Sequence, residues 1–191
     1  MDTGMQTTKG NTFNHNCLNY DECSNFHLVI ADQTPPEIFW SWSVQHWARS
    51  TYHKFDPQPL ISQAFYDLGI VSDDHGDVDV AFAFCLDLIV SFSTIGLSIG
   101  CHGCDKYGLL ELITLGCITF HQEDHEVIVR QILHNYLSDV PAEASSKLLG
   151  KISRAFANKG IIFPIRPYYF DLVSRKAIDS DLLSQNHKTI N

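Results

Sequence analysis

Residues 78–99 form the most apolar run of the chain, and whether they coil or extend decides the fold class. The even positions from 78 to 92 are Val, Val, Phe, Phe, Leu, Leu, Val and Phe, an alternation that a half-buried strand would show. The same residues place Asp79, Ala83, Asp87 and Ser91 four apart, a polar stripe down an otherwise buried helix. Length arbitrates, because sixteen residues is long for one strand and ordinary for a helix. A helix is therefore expected, and the alternative is an α/β fold with a central strand at 86–95. Asp87 sits mid-run, where a charge in lipid would cost about 3 kcal/mol. The segment reads as buried core and not as a membrane span.

The rest of the chain carries helix signals. Thr34-Pro35-Pro36-Glu37 has the form of a capping box with proline in the first turn, opening a helix that should end near His53, before Asp56-Pro57. A shorter helix is expected from Pro59 to Leu68, with Gly69 ending it. Tyr107 to Phe120 is dense enough in apolar residues for a buried helix. Asp124 is expected to cap the next, running to about Leu137. Pro141 to Phe156 supplies another, stopped at Asn158-Lys159-Gly160. Pro164 and Pro167 predict an extended edge or loop over 161–170, and 171–183 has the pattern of a last amphipathic helix. Phe26 to Ile30 is a candidate short strand. Residues 1–25 lack periodicity and read as a flexible N-terminal arm. The expectation is thus a mainly α, compact helical bundle of about six helices with at most a minor β element, formed by one globular domain over 26–191.

Charge is segregated along the chain. Residues 56–126 hold twelve acids and one base, Lys106, whereas residues 127–191 hold nine bases and five acids. No Lys or Arg lies between Lys54 and Lys106. A negative field of that kind repels phosphate backbones and anionic lipid heads, so no nucleic acid and no membrane is expected as a partner. A basic protein surface is the natural complement. Asp73, Asp74 and Asp77 form its most concentrated part. They do not follow the order of an EF-hand calcium loop. Trp40 and Trp47, with Trp42 and Tyr52, add aromatic anchors for such an interface, although core packing is the ordinary role of these side chains.

Six cysteines in 191 residues is too sparse for a disulfide scaffold. The N-terminus has no basic segment followed by an apolar one, so a reducing, cytoplasmic setting is expected. Cys101, Cys104, Cys117 and His121 are spaced C-x2-C-x12-C-x3-H. That spacing resembles a zinc finger whose third ligand is Cys, over 21 residues. The resemblance implies a tetrahedral site embedded in a larger core, because residues 107–113 are too apolar for a free-standing finger. The simpler reading takes Cys117 as a small buried hydrophobe and expects no cofactor. Cys101-His102-Gly103-Cys104 taken alone also fits a dithiol turn, which would require a strand immediately before it.

Gly96-Leu97-Ser98-Ile99-Gly100 is similar to the nucleophile elbow of the α/β-hydrolases. The resemblance implies Ser98 as nucleophile, with Asp171 and His187 following in the family's acid-then-His order. It requires a strand over 86–95, and the upstream residues lack the family's oxyanion segment. The reading preferred from sequence is an acidic cytoplasmic protein-binding module, in the manner of inhibitors and immunity-type proteins, a reading that leans against an enzyme. A zinc-stabilised regulatory domain and a small serine hydrolase are the alternatives.

Overall fold

In the computed structural model, the described residues are 28–29, 32–53, 55–70, 77–100 and 106–174. They form a mainly α fold. Six helices run α1 Pro35–His53, α2 Gln58–Asp67, α3 Val78–Phe92, α4 Leu109–Gln122, α5 Glu126–His134 and α6 Asp139–Asn158. A seventh helical stretch, α7, occupies 167–174. The β element is minimal. Strand β1, Leu28–Val29, pairs antiparallel with β2, Lys106–Tyr107, with Leu28 opposite Tyr107 and Val29 opposite Lys106.

The segment at 78–92 is helical, so the central strand at 86–95 does not form. Its inward side, Val78, Ala81, Phe82, Cys85, Leu86 and Ile89, follows the helical and not the alternating period. Two stop signals act as expected. Gly69 and Gly160 take positive φ of 71° and 70°, and each lets the next residue donate back to a carbonyl five before it: Ile70 to Phe65 and Ile161 to Phe156. Asp124 is a correction. It is not the cap of α5; it occupies the same left-handed position after α4, with φ 58°, and His125 donates to the Phe120 carbonyl at 2.8 Å. The segment over 161–166 is irregular, but the last helix begins at 167, four residues before the expected start.

The buried apolar side chains of the described residues form one cluster. Helix α4 is its axis, with every residue from Leu109 to Phe120 buried. Helix α6 packs on α3, α4 and α5, and α1 crosses α4. An aromatic group made of Phe39, Trp40, Phe65, Phe82, Phe156 and Phe163 joins α1, α2, α3 and α6, with ring centroids 5.1–6.2 Å apart. Among the described residues, no helix is long and apolar enough to cross a membrane.

Candidate functional site: the outward face of α3

Helix α3 is apolar on nearly every side, yet the fold covers only one. Val80, Phe84 and Phe92 are 53%, 55% and 52% exposed, and Ile95, just past the helix, is 37% exposed. A helix hydrophobic all round is ordinarily buried all round. Val80, Phe84, Asp87 and Ser91 recur at helical spacing along the uncovered face, with Leu88 half-buried at its edge. Together the exposed apolar groups present on the order of 300 Å², within the range of the largest apolar patch on a single chain, which is often functional.

The carboxylates around this face differ in role. Asp79 is occupied. It accepts a hydrogen bond from Gln58 Nε2 at 2.9 Å and another from the Ser62 hydroxyl, fastening α2 to α3. Asp87 is exposed and its carboxyl pKa is raised, with burial by its neighbours as the cause. Asp77 is exposed at the α3 N-cap, where its side chain makes no capping bond. Asp73 and Asp74 lie outside the described residues.

Trp40 and Trp47 are not part of this surface. Trp40 is fully buried, its Nε1 donating to Thr114 Oγ1 at 2.8 Å, and Trp47 is 5% exposed. Positions 40, 44, 47 and 48 share the inward side of α1, so the two indoles pack the core and are not interface anchors. Val80 and Phe84 had a sequence signal that went unread, two apolar residues four apart on the side opposite Phe82, Leu86 and Ile89, and Phe92 is exposed at the end of the helix.

The elbow motif leads to the start of α4. Its N-cap is Gly108, which has no side chain to offer. Ser98 supplies the missing acceptor, its hydroxyl taking the Leu109 N–H at 3.0 Å and its carbonyl the Leu110 N–H at 3.0 Å. The glycine is obligatory, because a Cβ there would lie 2.5 Å from the Ser98 carbonyl oxygen. Glu111 secures the same junction from inside. It is fully buried; Oε1 accepts from Gly100 N at 2.9 Å and Gln45 Nε2 at 3.2 Å, and Oε2 from Gly108 N at 3.1 Å. Burial pushes its carboxyl pKa up to about 7, against the pull of those donors.

Ser98 is therefore a helix cap in an extended segment. The strand that a nucleophile elbow needs is replaced by α3. Asp171 is exposed on α7, and His187 lies outside the described residues. Cys101 and Cys104 also lie outside them. Cys117 is completely buried, its thiol pKa raised by burial and then by nearby Cys85. His121, one turn on, lies over Gly150 of α6, where a Cβ would sit 3.1 Å from Cε1. Burial holds its pKa below the usual imidazole value. Cys117 and His121 are about 13 and 20 Å along α4 from Gly108. Among the described residues, no group of three or more His, Cys, Asp or Glu is placed to hold a metal ion.

The fold and this face define a mainly α domain with one uncovered apolar helix flank bordered by carboxylates. The chain matches no known family model, no curated protein and no solved structure.

Proposed function

We propose that the chain is a protein-binding module which uses the outward face of α3 to engage a basic surface on another protein. The uncovered Val80 and Phe84 beside Asp87, with Phe92 exposed at the end of the helix, carry this reading. An apolar centre supplies affinity by desolvation, and surrounding carboxylates steer and orient a cationic partner. The chain has no Lys or Arg from 55 to 105 to compete for those carboxylates. Masking a cationic site from within the cytoplasm, as inhibitors and immunity-type proteins do, is the mode of action that such a surface serves.

The test is calorimetric titration against small cationic proteins of pI above about 9, at low and at physiological salt. Asp87→Lys and Phe84→Asp are each expected to weaken binding about tenfold or more, and Asp87→Lys should also flatten the salt dependence. Unchanged affinity and unchanged salt dependence in both variants would overturn the proposal.

A further inference from the structure

We infer that the element of the partner seated on α3 is a cationic amphipathic helix. The inference rests on the binding-module reading above and names the occupant of that face. Three observations lead to it.

The first is shape. Val80, Phe84, Leu88 and Ser91 form a straight row about 16 Å long, three turns of helix. A row spaced by four residues on one helix accepts the matching ridge of another. An apolar stripe at i, i+3, i+4 and i+7 on the incoming segment fits that ridge, and a helix satisfies its own backbone while docking. The second is charge. Asp87 lies beside the row, Asp67 is exposed at the end of neighbouring α2, and Asp56 is exposed just before that helix. Lys or Arg flanking the incoming apolar stripe would meet them, and Asp87, exposed beside Phe84, is the carboxylate nearest the centre of the row. The third disfavours a second copy of this chain. Two-fold pairing of α3 makes mid-row residues face themselves. Asp87 lies within two residues of the midpoint of the Val80–Ser91 row, so self-association centred there would oppose two carboxylates inside an apolar contact.

The experiment uses the full chain and three synthetic probes of equal length and charge. One is a Leu/Lys peptide with its leucines in a helical stripe, one is the same composition scrambled to break the stripe, and one is polylysine with neutral spacers. Affinity is read by calorimetry and peptide helicity by circular dichroism. The striped peptide is expected to bind at one to one, to gain helicity, and to exceed the scrambled peptide by about tenfold. Phe84→Asp and the milder Phe84→Ala should each lose that advantage. Val127→Asp, on the 70% exposed Val127 of α5, should retain it. Because Phe84 points outward, these variants keep the core intact, which their far-ultraviolet spectra verify.

Equal binding of all three probes, abolished by Asp87→Lys, would overturn the helical occupant and leave the basic-surface reading standing. No binding of any cationic probe would overturn both. Concentration-dependent self-association of the wild type, lost in Phe84→Asp, would assign the face to a second copy and overturn the inference.

Discussion

Glu111 holds Gly100 across eleven residues of sequence, its Oε1 accepting the Gly100 N–H at 2.9 Å from a position with no contact to solvent. The contact joins the segment after α3 to the first turn of α4, and Gln45 ties α1 to the same oxygen. The Glu111 carboxylate in turn contributes to raising the pKa of Tyr107 on β2. The donors around Glu111 are all N–H groups, which favour the anion, yet burial prevails and raises the pKa from 4.5 to about 7. In the native state the proton is therefore held across a range where the unfolded chain has lost it. The contribution of this group to stability is complete below about pH 4.5, falls as pH rises, and is spent above about pH 7. Replacement by glutamine removes the titration. The difference in unfolding free energy between wild type and Glu111→Gln, measured in urea at pH 5 and pH 8, should change by on the order of 3 kcal/mol against the wild type at the higher pH.

Glu37 and Arg166 show the opposite sign. Glu37 is fully buried, and burial acts to raise its pKa, but the Arg166 bonds at 2.9 and 2.7 Å and two bonds from Thr34 outweigh it and leave the pKa lowered. Arg166 also donates to the Asp32 carbonyl, so one guanidinium fastens the stretch before α7 to the start of α1. Stability from Glu37 is present above the ordinary carboxylate pKa and is lost as pH falls through the lowered one. Arg166→Met leaves the carboxylate buried without its counter-charge and should cost about 3 kcal/mol or more at neutral pH. The same variant should recover part of that loss on acidification, because the isolated carboxyl then protonates above its unfolded value. Chemical denaturation across pH 4 to 8 checks both slopes.

Ser98 and Gly108 divide one capping task, and their substitutions should differ in severity. Ser98→Ala removes a hydroxyl from the Leu109 N–H and should lower stability by about 1 kcal/mol, the usual value of a lost cap. Gly108→Ala drives a methyl into the backbone of Ser98 and Ile99 at 2.5–2.6 Å, with no flexible side chain to give way. It should cost several times as much, on the order of 3 kcal/mol, or prevent folding. Thermal melts of the pair measure the ratio. A cap role also predicts that Ser98 takes no label from a fluorophosphonate probe.

How much of this was readable in the sequence depends on the range of the interactions. Thr34 to Glu37, Gly69 and Gly160 act within one helical turn, so the ends they set were visible in the residues themselves. The Leu28–Val29 strand fell within its expected place for the same reason, although its partner at Lys106–Tyr107 is far off in the chain. The work of Glu111 was not legible. Its partners at 45, 100 and 108 are brought together only by the packing of α1 on α4, and within its own helix it resembles any acid in a first turn. Ser98 misled for a related reason: a serine between glycines looks poised for attack until a distant helix start claims its hydroxyl. On α3 the period was readable but the exposed side was not, since apolar residues mark both sides and only the fold reveals which one α6 covers. The indoles of Trp40 and Trp47 were ambiguous from spacing because α1 carries aromatic residues on several flanks, and burial resolves them.

Asp124 occupies a position that glycine holds at two equivalent turns. The same carbonyl five residues back is reached after α2, α4 and α6, and the left-handed residue is Gly69, Asp124 and Gly160 in turn. A side chain at φ 58° costs about 1 kcal/mol relative to glycine, because Cβ crowds the following carbonyl. Asp124 is exposed, and a Cβ at Gly69 or Gly160 would meet nothing within 4 Å, so conformation alone sets the difference among the three. Asp124→Gly should therefore raise stability by about 0.5 kcal/mol, the strain relieved being partly offset by the greater freedom of glycine in the unfolded chain. Gly69→Ala and Gly160→Ala should each lower it by about 1 kcal/mol. Urea midpoints of the three single variants check the order, and a fall in stability for Asp124→Gly would show that the carboxylate makes a compensating contact at the end of α4.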